Sequence, residues 1–350
     1  MSNTSDSYKA RQKRRVLFGF IWVVISAALW GASYVGYAMQ DIVSGFINWP
    51  FEDNLIGTIA GVGVVSAITS LMFAIVTFFI WCVPAGKGKE VIKTLVRPKM
   101  DKWLAFGTIF GGILATFGTI LATKELGATL AASASVMSIA LGAIMASVWN
   151  KEKLARNTII GIIAIIVGGI IMLDPESLIN DLSAGGAVSG YLGLIACIVG
   201  WGVEGNITVR VYDITDSDSS LATKQIWDSL IWFVILLPIL GCCVGFGTLY
   251  GYLVDVITNS DMLLWLFIIA LVMVPCNACT NKGFPLIGVA RTASLNALYA
   301  PFSMIFLFLF MGIVPAWVVL IGVVIALVGV YVMYYDSGDL AEGNRASGGE

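Results

Sequence analysis

Glu204 is the residue with the clearest chemical potential in this sequence, because it is a carboxylate within a long apolar run. It belongs to the segment GWGVEGN, Gly200 to Asn206. A charge inside a bilayer costs about 2.5–3.5 kcal/mol on insertion scales, so such a residue usually faces a cavity or a charged partner. We expect Glu204 to bind a cationic group of a substrate or to carry a proton across a membrane. The structural alternatives are an ion pair with Arg210 or Arg291, or a position wetted from the nearer membrane surface.

Aromatic and amide side chains in the same apolar runs form a candidate substrate site. Ligand pockets combine aromatic walls with a few placed polar groups. Besides Glu204, the candidate substrate-binding residues are Trp30, Tyr34, Trp201, Asn206, Asn277, Asn296 and Tyr299. Helix packing or an aromatic belt at the membrane surface is the competing role for each of them. We expect at least half of the set to line one pathway.

Residues for catalysis or metal binding are scarce. The sequence contains no histidine, which excludes a histidine metal site, a Ser–His–Asp triad and a histidine proton relay. Cys276 and Cys279 form a CxxC, but it lies in an apolar run, so we interpret both as small buried residues. The sequence also lacks the GxxxxGK[ST] loop that binds nucleotide phosphates. It predicts no catalytic residue, no metal and no cofactor, and its net charge of −2 predicts no nucleic-acid partner.

The elements that must hold these residues are membrane helices. Of the 350 residues, 58% are hydrophobic and 12% are charged, whereas soluble domains are about 45–50% apolar and about 25% charged. This composition excludes a water-soluble globular enzyme. Because a membrane helix needs about 20 apolar residues, the sequence predicts an all-α polytopic membrane protein with ten transmembrane helices. The predicted spans are 16–39, 55–83, 103–123, 126–148, 157–173, 187–209, 227–251, 262–281, 288–312 and 315–335.

The basic residues predict an orientation, because Lys and Arg concentrate in cytoplasmic loops. With the N-terminus inside, every basic residue except Lys124 falls on one side of the ten spans. This arrangement places both termini in the cytoplasm and the chain in the cytoplasmic membrane. On the inner side of the second half, Arg210, Lys282 and Arg291 are interpreted as topology anchors, and Lys224 is counted in an inner loop. Lys124 is expected to be neutralised by Glu125 at the outer surface, with a gate as the alternative role.

Several short patterns occur twice in the chain. Trp30-Gly31-Ala32 returns as Trp201-Gly202-Val203. The glycines of span 5 and span 10 also correspond, since Gly161 and Gly168 return as Gly322 and Gly329. Each copy contains five spans, and this odd number predicts that the second copy enters the membrane upside down. Inverted repeats are typical of secondary transporters, whose binding site lies near the midplane where the copies meet.

These patterns divide the chain into four regions. We expect a basic cytoplasmic tail over 1–15, transmembrane repeat 1 over 16–173, transmembrane repeat 2 over 187–335 and a disordered tail over 336–350. A duplication kept only for stability is the alternative explanation of the repeat.

From about Val16 to Tyr335 the sequence resembles the drug/metabolite transporter (DMT) superfamily, of the EamA-like ten-helix type. The matching features are LWGASYV in span 1, GWGVEGN in span 6, the small residues of span 4, Ala300-Pro301 in span 9 and the glycine pattern of spans 5 and 10. The resemblance implies alternating-access transport of small organic metabolites, often outward and often coupled to protons. Leu141 aligns with Pro301, so a proline bend is expected in one half only.

The expected function is therefore secondary transport of a small organic metabolite, an amino acid or a similar molecule. Its expected partners are this substrate, protons, membrane lipids and, if it is not a monomer, a second copy in a homodimer. Protons, sodium or an exchanged metabolite could supply the energy. The alternative from another class is a membrane-embedded enzyme acting on a lipid-linked substrate, which would need clustered catalytic residues near one face. A pore would need a charged or carbonyl-lined filter, and no such pattern is visible.

Overall fold

The computed structural model describes residues 2–44, 49–150, 156–173, 179, 188–212, 216–287 and 289–334. Every regular element within these ranges is a helix, and they contain no strand. The α helices, in chain order, are α1 (Ser2–Ser44), α2 (Leu55–Ile75), α3 (Gly88–Leu95), α4 (Pro98–Thr108), α5 (Phe117–Leu126), α6 (Ala128–Ala134), α7 (Met137–Asn150), α8 (Arg156–Met172), α9 (Val188–Tyr212), α10 (Ser217–Ile231), α11 (Leu237–Val244), α12 (Phe246–Thr258), α13 (Ser260–Ile287), α14 (Val289–Asn296), α15 (Tyr299–Met311) and α16 (Trp317–Tyr334).

Segments of π helix extend or join several of these elements. The segment π1 (Val76–Cys82) continues α2, π2 (Ile109–Thr116) joins α4 to α5, and π3 (Trp232–Leu236) joins α10 to α11. Each of these combinations is one continuous membrane-length rod. π-helical turns occur frequently at functional sites, and π2 lies against the candidate site described below.

The helices have the length and surface of membrane spans. Among the described residues, eight helices are long and apolar enough to cross a membrane, and two shorter apolar helices cover Arg156–Met172 and Trp317–Met333. Large apolar side chains are exposed around the bundle, such as Phe310 at 72% and Ile163 at 56%. In water such a surface would drive aggregation, whereas in lipid it is the normal outer surface. The chain is an all-α polytopic membrane protein.

Most span boundaries agree with the sequence predictions, but the seventh does not. The prediction was 227–251, whereas the helical rod runs over Ser217–Val244. It begins earlier because Asp216 caps α10, accepting a hydrogen bond from the backbone N–H of Ser219 at 3.1 Å. It ends earlier because Gly245 has a φ of 91°, a conformation that terminates a helix and favours glycine.

The structure describes most of the predicted N-terminal tail but not the predicted C-terminal tail. Residues 2–15 of the predicted basic tail form the start of α1. The predicted disordered tail, 336–350, lies outside the described residues.

Contacts between helix ends define two ends of the bundle. The Lys87 end carries the ion pairs of Lys87 with Asp216 and Asp218. The Trp49 end carries Trp49 and Lys124, which line a common cavity. Three elements run from the Lys87 end to the Trp49 end: α1, α4–α5 and α10–α11. Helices α2, α9 and α13 run in the opposite direction, from the Trp49 end to the Lys87 end.

The helix pairs with the most extensive contacts join helices from the two halves of the chain. Helix α1 packs mainly on α13 and α15, and α9 packs mainly on α5, π2 and α7. Helices α8 and α16 pack mainly on each other. At Gly161 and Gly168 the nearest atoms to an added Cβ include the backbone oxygens of Gly329 and Gly322. The absence of side chains therefore brings the two backbones into direct contact.

Two spans are interrupted in the middle. The fourth breaks between α6 and α7 at residues 135–136, and the ninth breaks between α14 and α15 at residues 297–298. A proline bend was expected in one half only, and the structure adds a break in the fourth span that involves no proline. Pro301 lies in the first turn of α15 rather than at the break, where a missing backbone N–H costs little. The interruption of the fourth span needs no proline, because the Ser135 hydroxyl bonds the carbonyl oxygen of Ala132 at 2.8 Å and competes with the helix there.

Candidate functional site

The two helix breaks meet at a pair of hydroxyl groups. The Ser135 Oγ, at the break of the fourth span, lies 2.6 Å from the Tyr299 Oη, at the break of the ninth. The Tyr34 Oη of α1 lies 3.2 Å from the same Ser135 Oγ. All three residues are buried. One serine hydroxyl therefore joins three membrane helices at the centre of the bundle.

Two tryptophans complete an aromatic cluster around this hydroxyl group. The Trp30 ring stacks on the Tyr299 ring with centroids 4.9 Å apart, and the Trp201 ring meets Trp30 edge-on at 5.2 Å. The Tyr34 and Tyr299 rings are nearly parallel, at 6.3 Å. We call Trp30, Tyr34, Trp201, Tyr299 and Ser135 the aromatic cluster. It contains four of the eight residues singled out in the sequence, and the two tryptophans at matching repeat positions touch each other.

The three asparagines singled out in the sequence make other contacts. Asn206 donates hydrogen bonds to the carbonyl oxygens of Gly142 and Gly202, each at 3.1 Å. Asn277 donates to the carbonyl oxygen of Met273, one turn earlier in its own helix, at 2.9 Å. These amides satisfy backbone oxygens where water is absent.

Asn296 differs from the other two asparagines because half of its amide is unsatisfied. Its Nδ2 donates to the Thr280 Oγ1 at 3.2 Å, while its Oδ1 is buried without a hydrogen-bond partner. The Thr280 hydroxyl lies 2.6 Å from the hydroxyl of Ser26 on α1. Asn296 therefore belongs to a polar chain between α1 and α13.

Glu204 forms a buried ion pair with Lys224, a residue that the sequence analysis placed in an inner loop. The Lys224 Nζ donates a hydrogen bond to the Glu204 Oε1. The two residues are 7% and 8% exposed. The prediction that Lys224 lies in an inner loop is wrong, because α10 begins at Ser217 and includes this lysine. The side chains of Arg210 and Arg291, the partners proposed from the sequence, lie outside the described part of the chain.

Asp228 is a second buried carboxylate, and the sequence analysis missed it. It lies four residues after Lys224, on the same face of α10. It is 1% exposed, and neither carboxylate oxygen has a hydrogen-bond partner among the residues that the structure describes. Glu204 and Lys224 are both within electrostatic reach of it. The signal that could have found it is the spacing of Lys224 and Asp228 at i and i+4, ahead of an apolar run.

Two consecutive glycines make room for these carboxylates. A Cβ added at Gly111 would collide with the carboxylate of Glu204, and one added at Gly112 would collide with that of Asp228. Both glycines belong to π2. The Thr108 Oγ1, one residue before π2, donates to the carbonyl oxygen of Lys224 at 3.1 Å. We call Glu204, Lys224 and Asp228 the charged triad.

The charged triad adjoins the aromatic cluster. Trp201 and Glu204 are three residues apart on α9, so they share one face of that helix. The aromatic cluster therefore continues into the charged triad toward the Lys87 end.

A small polar cavity lies at the Trp49 end. It has a volume of about 10 Å³, room for about one water molecule, and its lining includes Tyr37, Gln40, Trp49 and Lys124. Gln40 is 1% exposed, and both polar atoms of its amide lack a hydrogen-bond partner. The Lys124 Nζ lies 3.0 Å from a carboxylate oxygen of Glu125 and 4.8 Å from the Trp49 ring centroid. The predicted pairing of Lys124 with Glu125 is confirmed.

The Lys87 end is closed by a charged network between π1 and α10. The Lys87 Nζ contacts the carboxylates of Asp216 at 2.8 Å and Asp218 at 2.5 Å. The Trp81 Nε1 donates to Asp218 at 3.1 Å. Partial burial opposes the charge of Lys87, but the hydrogen bonds to the two carboxylates outweigh it and raise its pKa. Partial burial likewise opposes the charge of Asp216, but the Lys87 ammonium and the Ser219 amide lower the pKa of this carboxyl.

Comparison with known proteins supports the architecture without naming a family. No family model and no curated protein matches the chain. Solved structures include a chain, known only as the crystal structure of a protein, that is 17% identical and covers 94% of this chain and 99% of its own length, with a TM-score of 0.54. At this identity the likeness concerns the fold alone.

Proposed function

We propose that this protein is a secondary transporter that moves a small organic metabolite by alternating access. In this proposal it has the ten-span architecture of the DMT superfamily, with α8 and α16 as the fifth and tenth spans. The observation that carries the proposal is the meeting of two interrupted helices at Ser135 and Tyr299. Secondary transporters bind substrate near the midplane, typically at discontinuous helices from two repeats.

The exchange of helix partners supports two inverted halves. The first span packs on the eighth and ninth, while the sixth packs on the third and fourth. The fifth and tenth spans pack on each other through glycines at matching positions, Gly161 with Gly329 and Gly168 with Gly322. A two-fold axis in the membrane plane would generate these pairings, because it interchanges each span with its counterpart.

The chemistry of the site favours a small zwitterion such as an amino acid. The Glu204 carboxylate and the Lys224 ammonium could receive the ammonium and the carboxylate of such a substrate, exchanging their mutual pair for two pairs with the ligand. Trp30 and Tyr299 would then contact its apolar part. A polyanion such as a sugar phosphate fits less well, because Lys224 is the only basic residue that the described structure places at the triad.

Ligand binding gives the first test. A ligand that binds only the folded state raises the melting temperature of the purified protein, so the twenty amino acids are screened in this way. A Tyr299→Phe variant should lose most of the shift, because it removes the hydroxyl that meets Ser135. Tyr250→Phe is the matched control, since Tyr250 lies on α12 and is 38% exposed.

Transport in proteoliposomes gives the second test. We expect uptake of an amino acid identified by the screen, driven by an imposed pH gradient and reduced at least tenfold by Glu204→Gln. Unchanged rate and pH dependence in Glu204→Gln would remove this residue from the mechanism. Recovery of a chemically altered substrate would favour the membrane-embedded enzyme instead.

Topology mapping gives the third test. The charge distribution favours a cytoplasmic position for both termini and the 84–102 segment, at the cytoplasmic membrane. Single cysteines introduced at 8, 90 and 345 should therefore all be inaccessible to an impermeant thiol reagent in intact cells. Opposite accessibility of the two termini would contradict an even number of spans.

A further inference from the structure

Asp228 is a buried carboxylate for which the described fold offers no hydrogen-bond donor. It is 1% exposed, and within the described part of the chain both of its oxygens lack a hydrogen-bond partner. An unpaired charge in a bilayer is costly, so such residues are rare and mark ion or proton pathways. A structural aspartate would be expected to have a donor, as Asp216 and Asp218 have at the Lys87 end.

The charges of the triad do not balance. Glu204 and Asp228 carry two potential negative charges, and Lys224 carries one positive charge. The hydrogen bond of Lys224 is made to Glu204, so its charge already has a partner. One further positive charge is needed for neutrality, and the least bulky one is a proton. A Cβ added at Gly112 would collide with the carboxylate of Asp228, so Asp228 occupies the space beside that glycine, and a proton needs no further room.

Among the side chains that the structure describes, the helices packed against α10 provide no ionisable partner for Asp228 besides Lys224 and Glu204. Helix α2 has no ionisable side chain over Leu55–Ile75, and π2 presents Gly112. Helix α9 presents Glu204, and α10 itself presents Lys224. Other described ionisable groups on neighbouring elements lie at the Lys87 end or its approach, or face α1: Cys82 on π1, Lys89, Glu90 and Lys93 on α3, Lys102 on α4, and Cys276, Cys279 and Lys282 on α13. Cys197 on α9 contacts Thr119, and Asp261 lies in the first turn of α13.

We propose that Asp228 is the residue that binds and releases the proton coupled to transport, while Glu204 keeps Lys224 neutralised. A proton from water on one side converts the Asp228 carboxylate to a carboxylic acid, and the same proton leaves to water on the other side. Release is favoured when Lys224 leaves Glu204 for a substrate or for Asp228, because the ammonium then stabilises the aspartate anion. The inference rests on the proposed transport function and moves the proton from Glu204 to Asp228.

Infrared spectroscopy tests the proton site without any substrate. A protonated carboxyl group has a C=O stretching band that ionised carboxylates lack. We expect this band in the wild-type protein at neutral pH, and we expect it to shift when aspartate carboxyls are labelled with ¹³C. It should disappear in Asp228→Asn and persist in Asp218→Asn, the matched control, whose carboxylate is paired with Lys87. A band that survives Asp228→Asn, that shifts only with labelled glutamate, or that is absent from the wild type would overturn the proposal.

Transport separates this proposal from the proposed function. The probe is a mixture of the twenty ¹⁴C-labelled amino acids. Asp228→Asn should retain exchange of labelled for unlabelled amino acid at equal pH, yet lose at least tenfold in accumulation driven by a pH gradient. Gradient-driven accumulation equal to that of the wild type would refute the role of Asp228. If the wild type moves no amino acid, the proposed substrate class fails, while the labelled infrared band still decides whether Asp228 holds the proton.

Discussion

Removal of Lys224 gives the most direct measure of the charged triad. In Lys224→Met the apolar part of the side chain is kept and the ammonium is lost. Glu204 is then left 8% exposed without its partner. Removing one member of a buried ion pair typically costs about 3–5 kcal/mol, which is a factor of about 10² to 10³·⁵ in the unfolding equilibrium constant.

A double-variant cycle isolates this pairwise energy. Glu204→Gln removes the charge that Lys224 leaves behind, so Lys224→Met/Glu204→Gln should recover most of the lost stability. Unfolding is followed by denaturant titration in detergent micelles, for the wild type, both single variants and the double variant.

Two results would refute this reasoning. The first is a loss of unfolding free energy below about 1 kcal/mol in Lys224→Met. Solvent-exposed ion pairs contribute this little, so such a loss would mean that water reaches the triad. Simple additivity of the two single variants would mean that Lys224 and Glu204 do not interact in the folded protein. Lys282→Met is the control, because Lys282 lies over the Trp22 and Trp81 rings instead of against a carboxylate.

Three further predictions concern other parts of the bundle. Gly168→Leu should destabilise the protein by about 1–3 kcal/mol in the same titration, because a side chain there enters the contact between α8 and α16. Tyr299→Phe should lose about 0.5–1.5 kcal/mol of stability with its hydrogen bond to Ser135, and ligand affinity should fall more than stability does. Lys87→Met should abolish a stabilisation that the wild type shows at neutral pH. That stabilisation is lost in acid as Asp216 protonates through its lowered pKa, and lost in alkali as Lys87 deprotonates through its raised pKa.

Each of these three has a matched control and a contrary outcome. Gly251→Leu is the control for Gly168→Leu, since nothing lies within 4 Å of a Cβ there, and equal losses would contradict the backbone contact. Tyr250→Phe serves again for Tyr299→Phe. For Lys87→Met the control is Lys93→Met, whose lysine is 61% exposed, and a wild-type stability that does not change between neutral and alkaline pH would contradict the assignment.

The sequence predicted the spans and part of the site because these depend on local composition. Long apolar runs are visible directly, and the repeated Trp-Gly patterns identified Trp30 and Trp201, which meet in the structure. Glu204 stood out because it interrupts an apolar run. The buried position of Glu204 was therefore predictable, whereas its partner was not.

Lys224 and Asp228 were not predictable in the same way, because their burial depends on tertiary structure. The segment 217–228 contains serines, a threonine, a glutamine and three charges, so a search for apolar runs treats it as a loop. In the structure these polar residues face neighbouring helices, and Ser219, Thr223 and Asp228 are all buried. A polar helix inside a membrane bundle becomes visible only when its neighbours are known.

The breaks of the fourth and ninth spans were missed for a related reason. A proline announces a bend, but Ser135 and Val136 carry no comparable signal in the sequence. Ala, Ser and Val are all tolerated in membrane helices, so the interruption depends on the hydroxyl bonds of Ser135 to Ala132 and Tyr299. Such long-range partners cannot be derived from local propensity.

The pairing of α8 with α16 has a consequence for the surrounding lipid. These helices contain 17 and 18 residues, which corresponds to about 26–27 Å at a rise of 1.5 Å per residue. A typical hydrocarbon core is about 30 Å thick. In the proposed ten-span arrangement this pair crosses the bilayer, and over its described residues it is shorter than that core, so the acyl chains beside it would shorten by a few ångströms, at a modest cost in free energy. The protein should therefore reconstitute best in short-chain lipids, and bilayer thickness becomes a variable that shifts its conformational equilibrium.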